Sequence, residues 1–400
     1  MSEFISVISS IGVFVALYFE VFILISFFGK EHEGIKTPFN ETPAVTVIVP
    51  CFNEEKTVQK TIKSLLNLDY PKDKLQIMII DDGSTDNTEE ILEQYKNNPQ
   101  ITLHYKPNGG KYTALNYGIE KTTTEFVGCL DADSFVEKSA LKNIMRKFEN
   151  LKVMAVTPSM IITEPNNVLR KMQKAEYSYG NFIRRASSKI GAIHITPGPF
   201  SFFRKEVFEK IGLYRHAHNT EDMEMAMRMQ KHRMIIKNAP DAIVHTTGPG
   251  TIKKLYKQRV RWVSGFIGNL IDYRSMMFSR EFGDLGLLIL PVSIFGMFLT
   301  LTFISVTVYK NVTEIINAIV KFRLVGWQTP NFSFDWFFFN TSIVSILTLI
   351  LFIIIFGLVI YSEKETSGKW KISTGTFYFI FLYSLIAPFW LLKSVYNNIR

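Results

Sequence analysis

Phe126-Val127-Gly128-Cys129-Leu130-Asp131-Ala132-Asp133 is the stretch on which the reading of this chain turns. Five apolar or small residues run without a break, and then two carboxylates stand one residue apart. A short apolar run with polar residues at its end fits a strand buried on both faces. Alternate residues of an extended chain point the same way, so Asp131 and Asp133 are both expected to face one hard cation, Mg2+ or Mn2+, of the kind that also takes phosphate oxygens. Two buried like charges without a cation would be costly. An Asp-x-Asp triplet is common by chance, and its weight comes from what surrounds it.

Toward the N-terminus the same rhythm repeats. Thr113 to Ile119 reads as a helix and Ile101 to Tyr105 as a strand. Glu89 to Tyr95 is helical, and Leu75 to Ile80 is a second buried strand. Thr57 to Leu66 has helical apolar spacing, and Val45 to Val49 is a β-branched run closed by Pro50. Continuous apolar strands separated by helices predict an α/β domain with a mostly parallel sheet covered on both faces.

Ligands of such sheets bind beyond the carboxyl ends of the strands, and there the polar clusters fall. The first strand runs into Asn53-Glu54-Glu55, which suits a ligand or a cap for the next helix. The second ends in Asp81-Asp82-Gly83-Ser84, where Asp82 can hydrogen-bond a base or ribose and Gly83 permits a tight turn. An Asx turn has the same look. After the third comes Asn108-Gly109-Gly110-Lys111. Its glycines would let backbone N–H groups approach a diphosphate that Lys111 neutralises; a surface turn is the alternative, and the P-loop spacing is missing.

Toward the C-terminus, Pro197-Gly198-Pro199-Phe200-Ser201-Phe202-Phe203-Arg204 reads as a rigid turn entering an aromatic strand. Thr220-Glu221-Asp222 opens a helix from Met223 to Lys231, where an acid can cap the helix or act as a general base. In Gln258-Arg259-Val260-Arg261-Trp262, Arg259, together with Lys253 and Tyr256, suits a helix anchored at a membrane surface by basic and aromatic side chains.

Hydrophobic residues make up 47% of the 400, and 34 are Phe. They concentrate in Ile5 to Phe28, Leu285 to Tyr309, Thr341 to Tyr361 and Phe377 to Tyr396, each long enough to cross a hydrocarbon core. No basic segment precedes the first run and no small-residue cleavage site follows it, which favours a retained helix over a signal peptide. Residues 31–284 hold most of the Lys and Arg and are expected on the cytosolic side. The loop Lys310 to Asn340 would then lie outside and Ser362 to Lys371 inside. Thr313 to Phe322 and Trp336 to Phe339 could instead lie along the interface. Sequons at Asn311, Asn331 and Asn340 carry little weight. The expected division is a membrane helix over 1–30, a catalytic domain over 31–250, interfacial helices over 251–284 and a membrane region over 285–400. The net charge of +9 fits an anionic membrane surface or substrate; no nucleic-acid motif accompanies it. Cys51 and Cys129 read as reduced structural thiols.

Taken in order, Asp81-Asp82-Gly83-Ser84, Asn108-Gly109-Gly110-Lys111, Asp131-Ala132-Asp133, Thr220-Glu221-Asp222 and Gln258-x-x-Arg261-Trp262 resemble the processive family 2 glycosyltransferases, the cellulose, chitin, hyaluronan and poly-N-acetylglucosamine synthases. The resemblance covers about Val45 to Trp262 and implies a GT-A fold with a transmembrane helical bundle and single-displacement, inverting transfer from a nucleotide sugar, UDP-linked by preference. By the same resemblance Asn53, Glu54 and Asp82 would hold the base and ribose side, and Lys111 and Asp131 the nucleotide and diphosphate. Asp133 would bind Mg2+ or Mn2+. Asp222, beside Glu221, would be the base. Gln258, Arg261 and Trp262 would meet diphosphate and acceptor sugar, and Gly198 and Pro199 resemble an acceptor-side segment. A growing polysaccharide is the expected acceptor, carried through the membrane helices, with several copies contributing if one path is too narrow. The alternatives are transfer of one sugar to a lipid-linked acceptor, an inactive nucleotide-sugar sensor, and a transporter, the last disfavoured by few spans and a large soluble insert.

Overall fold

The computed structural model describes residues 2–29, 37–326 and 342–399, with side chains from residue 7. Its sheet contains β1 (Val45–Cys51), β2 (Leu75–Asp81), β3 (Ile101–Tyr105), β4 (Phe126–Cys129), β5 (Ser134–Val136), β6 (Val153–Ile162), β7 (Phe202–Arg204) and β8 (Ile235–Thr246), in the spatial order β3-β2-β1-β4-β7-β6-β8-β5. The first four strands pair in parallel. Beyond them β7 runs antiparallel between β4 and β6, and β8 is parallel to β6. This is the GT-A, Rossmann-like arrangement.

Local sequence explains the joints. Gly128 interrupts the apolar run of β4 because a Cβ there would lie 2.4 Å from the Phe202 ring on β7. Arg204, at the end of β7, is buried, donates to the carbonyls of Val153 (3.0 Å) and Phe148 (2.9 Å), and has its guanidinium 4.9 Å from the Phe126 ring. Helices α2 (Val58–Leu66) and α5 (Ala140–Phe148) cover one face of the sheet with Val58, Ile62, Leu65, Leu141, Ile144 and Phe148. On the other face, α4 (Lys111–Lys121), α7 (Glu206–Ile211) and α8 (Glu221–Lys231) bury Ala114, Leu115, Val207, Met225 and Met229. The short α3 (Thr88–Glu93) lies between β2 and β3 in the chain.

Four helices are long and apolar enough to cross a membrane, spanning Val7–Phe28, Leu285–Val325, Ile343–Ser367 and Thr374–Ile399. They comprise α1 (Ser2–Phe28); α10 (Leu290–Val325) after a π turn over Leu285–Ile289; α11 (Ile343–Ser367); and α12 (Thr374–Phe377), a π turn over Tyr378–Tyr383 and α13 (Ser384–Ile399). Pro291 and Pro388, which lack an N–H for the helix ladder, each follow one of these π turns. Two expected boundaries are wrong. The helix does not stop at Tyr309 but continues through Thr313 and Phe322 to Val325, so Asn311 lies on a helix. Nor is Ser362 to Lys371 a loop throughout, because α11 persists to Ser367 and ends on left-handed Gly368. Both extensions are polar-dotted, and an apolar count stops before the backbone does. Asn331, Asn340 and Trp336 to Phe339 lie outside the described residues.

The two halves meet on α6 (Val168–Lys189) and α9 (Ile252–Asp272). Along α6, side chains three apart reach the membrane helices α1 and α11. Tyr179 donates to Glu20 of α1 (2.9 Å), the Phe182 ring stands 4.4 Å from Phe27 of α1, and Arg185 donates to Glu365 of α11 (2.8 Å). On α9, Ser394 of α13 donates to the Val260 carbonyl (3.2 Å) and Asn398 to that of Ser264 (3.2 Å).

Candidate active site

The carboxyl ends of the adjacent parallel strands β1, β2 and β4 lie along one edge of the sheet. Asp82, just past β2, is buried, and its carboxylate accepts from Lys106 Nζ (2.5 Å) and from the backbone N–H groups of Gly109 (3.1 Å) and Gly110 (2.8 Å). The glycine amides expected to face a diphosphate therefore hold Asp82 instead. Gly83 has φ +77°, and a Cβ there would come within 2.8 Å of the Asn108 nitrogen, so the β2 turn and the glycine loop are built against each other. Asn53, at φ +57°, ties the β1 loop to the same turn. Its Oδ1 accepts from the Thr85 N–H (2.8 Å), and its own N–H donates to Ser84 Oγ (3.0 Å). Next to it, Glu54 accepts from Thr57 Oγ1 (2.6 Å). Burial first, opposed by the Thr57 hydrogen bond and aided by Asp131 and Asp86, raises the Glu54 pKa.

The two acids that opened the reading do not sit on a strand. β4 ends at Cys129, and Asp131 to Asp133 form a turn closed by the Ser134 N–H on the Asp131 carbonyl (3.0 Å). Period-two alternation thus does not apply, and the two carboxylates take different partners. Asp131 takes Lys111 Nζ at 2.5 Å, while Asp133 accepts from Ser134 Oγ (3.1 Å). Asp133 is pushed up to about 6, by burial first and then by the charges of Asp131 and Glu54. Lys111 also lies 3.7 Å from Glu221. Burial pulls its pKa down, but Asp131 and then Glu221 outweigh that and hold the ammonium charged.

Asp222 completes the cluster from α8. Burial, then its neighbour Glu221, pushes it up to about 6, against the pull of Lys111. Its carboxylate accepts from the Met223 N–H (2.9 Å). Thr196 Oγ1 donates to its backbone carbonyl (2.8 Å), which fixes the start of α8 against the segment leading to Gly198. A Cβ on Gly198 would stand 2.5 Å from Lys111 Nζ and 3.1 Å from Asp131 Oδ1, so a side chain there would displace the lysine. The Gly198 carbonyl accepts from Cys129 Sγ (2.9 Å), and Pro199 follows in the same turn ahead of Phe200 at φ +64°. Lys111, Asp131, Gly198, Glu221 and Asp222 therefore converge, with Asp82 joined to them through Gly110.

Over this cluster lies α9. A Cβ on Gly265 would fall 2.3 Å from Thr220 Oγ1, and Asn269 Nδ2 donates to that same hydroxyl (2.9 Å). Arg261 is exposed and donates to the Asn219 carbonyl (3.3 Å), Trp262 is half-buried, and Gln258 Oε1 is buried with no hydrogen-bond partner among the described residues. Arg259 does not anchor to lipid. It is buried, donates to Glu176 of α6 (2.7 Å) and lies with its guanidinium 4.4 Å from the Trp262 ring.

Sequence reasoning missed Lys106, Glu176 and Arg259 as site residues. Lys106 stands two residues before Asn108, outside the glycine cluster, and nothing local ties it to Asp82. Glu176 lies on a helix of mixed polarity that no motif marks. Arg259 sat inside a motif but read as a surface charge.

Among the described residues, no three His, Cys, Asp or Glu side chains are grouped to enclose a metal. Asp133, with Glu54 and Asp131 near and its charge only partly offset by Lys111 and the Ser134 hydroxyl, fits a hard divalent cation whose remaining oxygens come from a ligand.

Residues 46–212 match the family described as glycosyl transferase family 2. Among characterised proteins, the chain is 31% identical over 348 residues to the poly-beta-1,6-N-acetyl-D-glucosamine synthase of Staphylococcus epidermidis, covering 85% of this chain and 82% of that protein. It is 33% identical over 282 residues to the enzyme of the same name from Staphylococcus aureus (strain COL), covering 68% and 67%. Among solved structures, the mannosyltransferase PcManGT from Pyrobaculum calidifontis, in complex with GDP-Man and Mn2+, superposes with a TM-score of 0.64 at 18% identity over 98% of this chain and 97% of that one, which attests the fold. The acid cluster, the sheet that carries it and the relatives agree: this chain is a glycosyltransferase belonging to glycosyl transferase family 2.

Proposed function

We propose that this enzyme adds a sugar from a nucleotide sugar, with UDP-N-acetylglucosamine the first donor to test, to the end of a growing β-linked polysaccharide at the cytosolic face of a membrane. One observation carries the reading. The helix bearing Gln258, Arg261 and Trp262 lies between the acid that would act as base and the last membrane helix, touching Thr220 on one side and Ser394 and Asn398 on the other. An acceptor seated there is within reach of both chemistry and bilayer.

In this reading Asp222 takes the proton from the acceptor hydroxyl as that oxygen attacks the anomeric carbon. The bond from that carbon to the diphosphate breaks, the nucleoside diphosphate leaves with the electron pair, and the configuration inverts. Lys111 and Arg261 offset the charge of the leaving diphosphate. Asp133 would hold a divalent cation, Mg2+ or Mn2+, which supplies further charge stabilisation to the leaving oxygens. Asp82, fixed by Lys106 and the glycine loop, would meet base or ribose alongside Asn53 and Glu54. Trp262 offers its ring to the acceptor sugar. The membrane helices, which contain Ser, Thr and Gly, would conduct the product outward, with a second copy completing the path if needed.

Membranes containing the full chain, incubated with a panel of radiolabelled nucleotide sugars and Mn2+ or Mg2+, test this directly. A ladder of high-molecular-mass product from one donor is expected. A single-sugar glycolipid without polymer replaces the polymerase reading with lipid-linked transfer, and no transfer from any donor overturns both.

A further inference from the structure

Arg259 lies over one face of the Trp262 ring at 4.4 Å, with a guanidinium that is itself buried and held by Glu176 at 2.7 Å. Glu176 also has a second neighbour, because the phenol of Tyr383 stands beside the same carboxylate. Tyr383 is the last residue of the π turn that precedes α13, and its ring packs 5.3 Å from Trp390 and 5.4 Å from Phe379. A continuous row therefore runs from the membrane helix through Tyr383, Glu176 and Arg259 to the indole.

We propose that Glu176 is a positioning residue for the acceptor: by gripping Arg259 beside Tyr383, it fixes the angle at which Trp262 presents the ring face opposite Arg259 to the acceptor sugar, and sets that face in register with the membrane helix. The inference rests on the acceptor role given to Trp262 above. Its physical basis is direct. A flat guanidinium on a ring face leaves stacking to the opposite face alone. A buried ion pair packed beside a third polar side chain has few alternative geometries, which suits register better than stability. The π turn places Tyr383 off the regular helical ladder, a common device where a helix must deliver one side chain to a site.

The test uses the full chain in membranes, the donor identified by the panel above and a short oligomer of the same sugar as acceptor. Donor hydrolysis by water is followed in parallel as a reaction that needs no acceptor. Glu176→Gln is expected to raise the acceptor KM about tenfold and to shorten the products, with donor KM and donor hydrolysis within about twofold of wild type. Tyr383→Phe, which removes one hydroxyl and leaves the fold intact, is expected to shift acceptor KM in the same direction by about threefold. Arg259→Lys keeps the charge but not the flat stacking group, and is expected to raise acceptor KM as Glu176→Gln does. Unchanged acceptor KM in Glu176→Gln and Tyr383→Phe overturns the inference while leaving the proposed function standing. So does a parallel fall in transfer and hydrolysis, the mark of a merely structural role. Wild-type protein that transfers no sugar overturns the proposed function and this inference with it.

Discussion

Asp133 and Asp222 both titrate near 6, well above an ordinary carboxylate, because burial and neighbouring acids penalise their charge. A base must be unprotonated to work. Asp222 is therefore ionised above about pH 6, and the rate should fall about tenfold per pH unit below that, steeper still if Asp133 must also ionise. The pH dependence of kcat/KM for donor checks this. Asp222→Asn should lower transfer by a factor of about 10² or more with donor KM little changed, as judged by initial rates. Gly198→Ala probes the Lys111–Asp131 contact. The added methyl occupies the place of the ammonium, which a flexible lysine can vacate, so folding should survive while activity falls about tenfold or more; thermal melting beside an activity assay separates the two. At this scale much of the site was legible: Asp82, Lys111, Asp131, Glu221 and Asp222 occur at motif positions that gather in space. What was not legible is who holds whom. The glycine amides looked like diphosphate donors because sequence cannot show that Asp82 is already their partner, and Lys106 is brought to Asp82 by a fold-level contact 24 residues along the chain.

Among elements, α9 matters most, since it fits over α8 only where a side chain is missing. Gly265→Val should force the helices apart, costing about 1–3 kcal/mol by overpacking and displacing Arg261 and Trp262 from the acid cluster. A lowered Tm with activity reduced beyond what the remaining folded fraction explains is the expected result. The parallel strands β1 to β4 were readable because each is an uninterrupted apolar run between helices. β7 was harder, being three residues long and antiparallel, and its place between β4 and β6 depends on Gly128 making room for Phe202. The 22-residue α6 went unread because its apolar, aromatic and charged residues face several different partners, which blurs any single stripe.

In the whole molecule, catalytic and membrane parts share a core. Ile23 and Phe27 of α1 pack with Phe182 of α6, Met223 and Met227 of α8, Leu270 of α9 and Leu358 of α11. Met223 follows Asp222 directly, so α8 is seated partly on the membrane bundle. Deleting residues 1–28 should therefore lower the melting temperature and transfer together, even with the catalytic domain complete, because it strips Phe182 and Met227 of cover. A soluble-domain truncation that retained full activity would contradict this packing account.

The charge of the cleft has one more result. Lys106 and Lys111 each answer a carboxylate, Asp82 and Asp131, but Glu54, Asp133, Glu221 and Asp222 crowd the same rim. In the role proposed above, an anionic donor would meet net negative charge at this rim, so its approach should depend on a divalent cation that arrives with it or is already seated at Asp133.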